Sequence, residues 1–418
     1  MGKEKVVLNS HGELEAFFSN VDKDSFLDDK GAVIIENFEF NFDIILPFKL
    51  KVQGGLSDIN RYFRSSKNKF MSCAFTEDVT VIDCGFEMFF ESNCVFEKEV
   101  KIISRSTNLS FKNSKINRLN LEGATFGGAG KEGGKLRLKK CEVGFSNFKN
   151  AKFYSIVDFY NTTFLENVIF NKTDFLNLVI LSATTFKKNA LFTYTLLNDK
   201  VIMRNTVFEK GLDLSLAIIK GDLALFDIKL SSKPYKVIAN TLSEDEYEDS
   251  VANTGEIPIH NKQETFRLLK MYFAIVHNVP ESLKYKRLEK ETYQVNLRNK
   301  EGTIENRLER FNLWLNDFSS KHSTSYGRAF VFTIVIGWLF FYFSLISTKS
   351  FEFSLIPTRW ALSEGAKYFA QFMIPTHSFK YMDDNVVLSN WFYIFDFIGR
   401  LFVGYGVFQF IQAFRKYK

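Results

Sequence analysis

The sequence has few of the residues from which metal centres, disulfide frameworks and catalytic sites are built. Only five His and four Cys are present in 418 residues. No two Cys form a C-x-x-C pair, no His cluster lies near them, and no nucleophile motif or carboxylate cluster stands out. We therefore expect no enzyme activity, no metal and no cofactor, and we interpret the cysteines as small core residues in a reducing compartment. The scarce residues are His11, His260, His277, His322, His377, Cys73, Cys84, Cys94 and Cys141.

The N-terminus lacks the features of an export signal. It reads Met1-Gly2-Lys3-Glu4-Lys5-Val6, without an apolar core. Val6 stands where a myristoylation signal has Ser or Thr. We therefore expect the N-terminal domain to stay in the cytoplasm.

Phenylalanine, in contrast, is abundant, with 48 residues, and its spacing reveals a repeat. Three segments align without gaps at steps of 22 residues: 160–170, 182–192 and 204–214. Earlier in the chain a four-residue motif that ends in Phe recurs at about half this spacing, as SCAF, DCGF and NCVF. The Phe residues that keep the 22-residue step are Phe126, Phe148, Phe170 and Phe192, and separately Phe164, Phe186 and Phe208.

The Phe spacing of five or six residues does not fit an amphipathic helix, which needs spacings of three or four. Thr, Asn, Val and Phe also favour strands and turns. The pattern predicts a β-helix of about 22 residues per coil, in which Phe stacks on Phe and each coil advances roughly 4.8 Å. The alternative is a β-sandwich with accidental periodicity. The N-T-T-F and A-T-T-F boxes resemble pentapeptide-repeat and related right-handed β-helix domains, although the spacing here alternates between five and six.

The predicted domain order places a soluble domain before a membrane domain. An open β-helix exposes strand edges, so a cap is required, and residues 9–20 are predicted to be a capping helix. The acidic linker is either a solvated loop or a mimic of a nucleic-acid backbone that covers a basic surface. The helical neck has a predicted break at Pro280. The predicted boundaries are 1–30 for the cap, 31–240 for the β-helix, 241–261 for the linker, 262–328 for the neck and 329–418 for the membrane domain.

Residues 98–152 form a basic stretch with 13 Lys or Arg, 4 Glu and no Asp. The stretch is either a solvated surface or a binding site for a nucleotide, an oligonucleotide or an anionic lipid. The Gly-rich segment 127–134 within it lacks the G-K-[ST] of a P-loop. The candidate ligand-binding residues are Arg105, Lys112, Lys115, Arg118, Lys135, Arg137, Lys139, Lys140, Lys149 and Lys152.

Two patterns within this stretch make geometric predictions. The alternation in residues 135–139 predicts that the two Leu point inward and the three cations outward. A 22-residue coil would also place Lys115 beside Arg137 and Arg118 beside Lys140. Such like-charged pairs destabilise a sheet unless an anion lies across them.

Two apolar segments near the C-terminus predict transmembrane helices, at 329–346 and 391–413. Lys and Arg residues precede the first segment, and others follow the second. Lys and Arg favour the cytoplasmic side, so the chain before the first helix and the chain after the second are both expected to be cytoplasmic. The second segment carries Asp396 and Arg400, which share one helix face. They are either a self-neutralising pair between helices or part of a pore lining. The candidate pore residues are Asp396, Gly399, Arg400 and Val403.

Between these segments, residues 359–373 are predicted to form a re-entrant pore helix or an interfacial helix. This plan resembles two-helix channels of the potassium-channel type. The potassium filter T-V-G-Y-G is absent, and the chain reads Ile374-Pro375-Thr376-His377 instead. Potassium selectivity is therefore not implied.

The order of β-helix, helical neck, Ser325-Tyr326-Gly327 box and two-helix membrane module resembles the transmembrane opening effectors of bacterial Hailong anti-phage defence. The resemblance implies a homotetrameric channel in the inner membrane, opened by a single-stranded oligodeoxyadenylate and arresting growth by depolarisation. The implied partners are the lipid bilayer, other copies of the chain, single-stranded DNA or another nucleotide polyanion, and a nucleotidyltransferase that makes the signal. The alternative is a membrane-anchored β-helix scaffold that binds a protein and has no pore.

Overall fold

The computed structural model describes residues 5–20, 23–49, 63, 67–82, 87–103, 107–128, 133–231, 246, 257–298, 302–348, 362–382 and 386–415. The chain divides into two compact units, Met1–Leu268 and Leu269–Lys418. The first unit is rich in strands and the second is helical.

The described strands of the first unit form three parallel sheets. The first sheet has 15 described strands: Val6–Leu8, Phe38–Phe40, Ile44–Leu46, Ala74–Phe75, Val79–Val81, Val95–Ile102, Lys115–Asn120, Glu142–Asn147, Thr163–Phe164, Val168–Ile169, Thr185–Phe186, Asn189–Leu191, Val207–Phe208, Gly211–Asp213 and Lys229–Leu230. The second has nine: Val33–Glu36, Asn68–Met71, Glu87–Glu91, Asn108–Lys112, Leu136–Lys139, Val157–Asp158, Val179–Ile180, Val201–Arg204 and Leu223–Phe226. The third has five: Thr125–Phe126, Lys152–Phe153, Asp174–Phe175, Leu196–Leu197 and Ile218–Ile219.

The core of this unit is built from stacked Phe rings, as the 22-residue step predicts. Phe164, Phe186 and Phe208 are partners in adjacent strands of the first sheet. Their rings stack with centroids 5.2 and 5.1 Å apart and planes within 8° of parallel. Phe148, Phe170 and Phe192 form a second column with centroids 4.8 and 4.6 Å apart. This stacking confirms the prediction for both groups from Phe148 onward.

From Asn150 to Asn205 the corners of the repeat recur every 11 residues, half of the 22-residue step. Each of these corners has one residue with a positive φ, and the next residue is a buried Thr at all but the first. The hydroxyl of Thr184, for example, donates a hydrogen bond of 2.8 Å to the carbonyl oxygen of Phe159. A buried hydroxyl needs such a partner, so the hydrogen bond of this Thr stabilises the corner from the core side. Thr162, Thr173, Thr195 and Thr206 make the equivalent bond.

The Gly-rich segment interrupts the 22-residue step. Phe126 stacks on Phe153, 27 residues later, with centroids 4.9 Å apart, so the prediction that it continues the Phe148 column is wrong. The step is five residues longer because the strand that ends at Phe126 is followed by one that starts only at Leu136. Gly134 has φ +70°, and a Cβ there would lie 2.6 Å from the carbonyl carbon of Phe126. Glycine is needed at this close approach.

Helix α1, His11–Asn20, lies within the region predicted to be a capping helix. Leu14 and Phe18 are its buried residues. The Phe18 ring packs edge-on against Phe63, with centroids 5.4 Å apart. The helix therefore buries its apolar side on aromatic residues of the strand-rich unit.

Six described helices follow the strands: α2, Ile259–Ile275; α3, Val279–Arg298; α4, Ile304–Ser320; α5, Tyr326–Ser347; α6, Leu362–Phe372; and α7, Asn390–Phe414. The break between α2 and α3 confirms the interruption predicted at Pro280, which is the second residue of α3. Only α5 and α7, among the described helices, are long and apolar enough to cross a membrane. Their mean hydropathies over 18 residues are 2.3 and 1.4.

Candidate functional site

A cluster of three ionisable side chains lies buried beside helix α7. Asp396 is fully buried, and its carboxylate accepts a 2.7 Å hydrogen bond from Nε of Arg400, one turn later in the same helix. Its other oxygen lies 2.9 Å from Nε2 of His377. The Arg400 guanidinium also covers the Phe379 ring at 3.9 Å from the centroid, a cation–π contact.

The hydrogen bonds of His377 define its role in the cluster. Nδ1 of the ring lies 2.7 Å from the carbonyl oxygen of Ile374, which can only accept. Nε2 of the same ring lies 2.9 Å from the Asp396 carboxylate. His377 and Arg400 thus each contact one oxygen of that carboxylate.

Local sequence explains how the loop reaches this helix. Helix α6 ends at Phe372, shortly before Pro375, which lacks a backbone donor and favours termination. Phe372 and Tyr381 belong to one buried apolar cluster with Phe341 of α5. Helix α7 then starts after Ser389, whose hydroxyl accepts from the backbone N–H of Phe392. Phe372 and Tyr381 therefore hold the chain by packing on both sides of His377.

The other two candidate pore residues lie in the same packed region. A Cβ on Gly399 would overlap the Phe372 ring and lie 2.9 Å from Cβ of Phe340. Val403 is fully buried and belongs to the apolar cluster of Phe341 and Phe372. Within one chain, Asp396, Gly399 and Val403 therefore face neighbouring elements of the same helical unit.

Two donors next to the cluster are left without hydrogen-bond partners among the described residues. They are Nη2 of Arg400 and the hydroxyl of Tyr381, both buried. Burial raises the pKa of Tyr381, so this hydroxyl keeps its proton. An unpaired buried donor is unfavourable unless water, an ion or another chain completes it.

A second polar junction joins α4 to α7 at the opposite end of α7. Gln409 Oε1 accepts hydrogen bonds from the hydroxyls of Ser320, at 2.8 Å, and Ser323, at 3.0 Å. The Tyr405 hydroxyl donates to Asn316 Oδ1 at 3.4 Å. These contacts fix the end of α4 against the last turns of α7.

The candidate ligand-binding residues are divided among the three parallel sheets. Lys115 and Arg118 lie in the first sheet, Lys112, Arg137 and Lys139 in the second, and Lys152 in the third. Lys135, Lys140 and Lys149 lie outside the strands, and Arg105 lies outside the described residues. The predicted inward orientation of Leu136 and Leu138 is confirmed, because both are fully buried.

The predicted like-charged pairs are wrong because of the longer step at the Gly-rich segment. Lys115 lies beside Glu142 in the ladder, with an ion pair of 3.8 Å. Arg118 lies beside Phe145, and its guanidinium is 5.4 Å from that ring centroid. Arg137 lies between Ser110 and Asp158.

Acidic residues neutralise part of the basic stretch. Lys139 forms an ion pair of 2.8 Å with the buried Asp158, and Lys152 one of 3.7 Å with Asp174. The pKa of Glu87 is lowered, mainly by Lys67 and to a smaller extent by Arg137.

The exposed side chains of Lys112 and Lys140 have no ion pair among the described residues. Lys112 lies beside Lys139 in the ladder, which places positive charges on adjacent strands. Lys140 occupies a corner with φ 55° and lines a shallow groove of about 490 Å³. Lys115, Asn113 and Asn161 line the same groove. Side-chain amides and ammonium groups together provide donors for an anion.

His377 was missed as a site residue by sequence reasoning, which treated the five His as scattered. The available signal was its position two residues after Pro375, in the loop opposite the charged part of α7. The described cysteines, Cys73, Cys94 and Cys141, are buried free thiols, as expected of core residues, and burial raises the pKa of Cys141 to about 11. Cys84 and the acidic residues of the linker other than Glu246 lie outside the described residues.

Among the described residues, no group of three His, Cys, Asp or Glu side chains is placed to hold a metal ion. No protein-family model, curated protein or solved structure matches this chain.

Proposed function

We propose that this chain is the subunit of a membrane pore that a nucleotide polyanion opens from the cytoplasm. Helices α5 and α7 cross the inner membrane of a bacterium, and the strand-rich unit is a right-handed β-helix that receives the ligand. A short single-stranded oligodeoxyadenylate, implied by the resemblance to Hailong effectors, is the ligand we favour. Opening depolarises the membrane and arrests growth of a phage-infected cell.

The observation that carries this proposal is the buried His377–Asp396–Arg400 cluster. An inert membrane anchor has no need of charged side chains, which are unfavourable in hydrocarbon and mark ion pathways or relays when present. Asp396 is the seventh residue of α7, about 9 Å from the helix start at 1.5 Å per residue. The cluster therefore lies near one mouth of the proposed pore and shapes the electric field there.

The pore must be formed by several subunits, because two spanning helices cannot enclose a water-filled path. The resemblance favours four copies around a closed rotational axis. Nη2 of Arg400 is buried and lacks a hydrogen-bond acceptor among the described residues, and assembly of several subunits can supply one. Native mass measurement in mild detergent is expected to give a tetramer, and a strictly monomeric mass would rule out the pore.

Conductance of the reconstituted full-length protein tests the activity directly. We expect no current in a planar bilayer until oligodeoxyadenylate is added on the side of the N-terminal unit. Replacing Asp396 with Leu is expected to change the unitary conductance, because Arg400 and His377 lose their shared anion. Phe397→Leu, at an exposed neighbouring position of α7, is the matched control and is expected to conduct normally. Unchanged conductance in Asp396→Leu and Arg400→Leu would place the cluster away from the ion path.

Ligand binding is tested through Lys112 and Lys140, two exposed lysines of the basic stretch that have no ion pair among the described residues. We expect the double charge reversal Lys112→Glu with Lys140→Glu to abolish binding of a short DNA strand. Lys200→Glu with Lys220→Glu makes the same charge change at exposed positions outside the basic stretch and is expected to bind as wild type. Wild-type affinity is expected to fall steeply with salt, since each contacted phosphate releases about 0.7 counterion.

The result of this titration separates three explanations of the basic stretch. Reversal at Arg137 and Lys139 is expected to weaken binding as well, although Asp158 already engages Lys139. A variant that binds DNA normally but loses binding to phosphatidylserine vesicles would indicate a lipid surface instead. Absence of wild-type binding at low salt would contradict the nucleic-acid ligand.

The second candidate function is a membrane-anchored scaffold that binds a protein and forms no pore. The ion pairs of Lys115, Lys139 and Lys152 favour it, because they reduce the charge available to a polyanion. This candidate predicts retained protein binding and no current under any ligand.

A further inference from the structure

Helix α4 carries a stripe of large apolar side chains that the chain leaves uncovered. The stripe recurs at three- and four-residue spacing along the helix, which places it on one side. Its members and their exposures are Ile304 79%, Leu308 65%, Phe311 55%, Trp314 49% and Phe318 53%. The buried residues of the helix are Leu313, Ser319 and Ser320.

The C-terminal end of this stripe contacts α5, the first proposed membrane helix, beyond the first turn of that helix. The Phe318 ring packs edge-on against Phe332 of α5, with centroids 6.0 Å apart. Phe332 is six residues beyond the start of α5 at Tyr326, about 9 Å along the axis. Trp314 stacks on Phe318 with centroids 5.4 Å apart and planes 10° from parallel. The aromatic part of the stripe is therefore continuous with a helix that carries apolar residues into the membrane.

The position of α4 is fixed by polar contacts rather than by burial of the stripe. The hydroxyls of Ser320 and Ser323 donate hydrogen bonds to Gln409 of α7, and the hydroxyl of Tyr405 of α7 donates one to Asn316. These contacts place the C-terminal end of α4 beside the start of α5 and the end of α7. Those two helix ends contact each other through Tyr326 and Phe414, whose ring centroids are 5.9 Å apart. The stripe thus starts at the edge of the membrane-spanning pair.

We propose that α4 is an interfacial helix whose apolar stripe inserts into the lipid headgroup region. This inference rests on the proposed crossing of the membrane by α5 and α7. Trp and Phe are favoured at this depth, and such helices lie about 5–10 Å into the boundary between headgroups and acyl chains. Arg307, one turn before Phe311, borders the stripe, and Glu305, Glu309 and Arg310 lie farther around α4, so acidic and basic residues are mixed. Binding is therefore expected to depend on apolar insertion and little on the charge of the lipid.

The test uses fluorescence of single Trp residues in full-length protein reconstituted into phosphatidylcholine vesicles. The chain has four Trp, at 314, 338, 360 and 391, so replacing three with Phe leaves Trp314 as the reporter. Lipids brominated on the acyl chain quench a Trp in the bilayer, and acrylamide quenches a Trp in water. We expect Trp314 to be quenched strongly by brominated lipid and weakly by acrylamide.

A matched control moves the Trp to an exposed aromatic position of the strand-rich unit. Phe226→Trp combined with Trp314→Phe is expected to reverse the two quenching efficiencies, because Phe226 is 63% exposed. A single Trp at the native position 338, exposed on α5, reports whether that helix crosses the bilayer.

These reporters distinguish failure of this inference from failure of the proposed function. Lipid quenching of Trp338 with only acrylamide quenching of Trp314 would overturn the interfacial helix and leave the membrane-spanning pair intact. Protection of Trp314 from both quenchers would show that another copy or another element covers the stripe, and would also overturn it. Absence of lipid quenching at Trp338 would contradict the membrane proposal itself.

Discussion

The strand-rich unit and the helical unit bury their polar groups in different ways. In the first, the buried hydroxyls of Thr173, Thr184 and Thr195 each donate to one backbone carbonyl, and the same bond recurs from corner to corner. In the second, buried polar groups form two junctions that each occur once, one around Asp396 and one around Gln409. The first unit repeats the same hydrogen bond at successive corners, whereas the second depends on hydrogen bonds that occur only once.

This difference has consequences for stability. In a repeat each layer contacts its neighbours, so damage to one layer is expected to remain local. A unique junction between charged groups has no equivalent elsewhere, and removal of one member leaves the others buried and unpaired. The predictions below test this contrast, from the largest expected effect to the smallest.

The largest effect is expected from Phe186→Ala in the middle of the Phe column. Phe186 is fully buried between Phe164 and Phe208, and loss of such a ring costs about 3–5 kcal/mol. Hydrogen–deuterium exchange of the full-length protein in detergent is expected to increase in the adjacent strands and to stay unchanged in α4–α7.

The control for this change is Phe226→Ala, since Phe226 is 63% exposed. It is expected to leave exchange almost unaltered. An equal increase across all strands after Phe186→Ala would show that the sheets unfold as one unit, contrary to the nearest-neighbour description.

The same contrast explains what the sequence could predict. The Phe columns, the break at Pro280 and the apolar helices follow from patterns that repeat or extend over many residues. The partner of Arg137 could not be predicted, because it depends on the longer step between the strand that ends at Phe126 and the strand that starts at Leu136. The approach of His377 to Asp396 depends on a loop path between helices, for which neither residue carries a periodic signal.

The second prediction concerns the charged cluster of α7. Asp396→Leu and Arg400→Leu are each expected to destabilise the helical unit by about 3 kcal/mol, because each leaves a buried charge without its partner. The double variant is expected to be more stable than either single variant. Thermal unfolding in detergent, with hydrogen exchange of residues 374–382, measures both effects. Strict additivity of the two changes would contradict the shared ion pair.

The third prediction isolates one corner of the repeat. Thr184→Val keeps the shape of the side chain but removes the hydroxyl that donates to Phe159. The carbonyl loses its side-chain donor, and the expected cost is about 1–2 kcal/mol. Thr185→Val is the matched control, because Thr185 is only partly buried in the next strand position. Local hydrogen exchange at residues 159–186 is expected to rise only in the first variant, and equal rates would exclude the hydroxyl as a determinant of the corner.

The smallest effect is expected from pH, through His322 at the end of α4. His322 is 4% exposed, and burial lowers its pKa below the ordinary value. Asp317 opposes this shift, whereas Lys290, Arg287 and Lys286 act in the same direction as burial. The folded chain therefore binds this proton less readily than the unfolded chain does.

The direction of the pH effect follows from this difference in proton binding. Stability is complete above the unfolded pKa of about 6.5 and falls as pH decreases toward the lowered folded value. Thermal unfolding of the full-length protein in detergent is expected to shift to lower temperature between pH 7.5 and pH 5.5. His322→Asn removes the titrating group and is expected to reduce this shift. His277→Asn, at an exposed position, is the control because both residues have a positive φ, 54° for His322 and 56° for His277. Asn accepts that backbone conformation, so the two variants differ mainly in burial. An unchanged pH shift in His322→Asn would assign the acid sensitivity to another group.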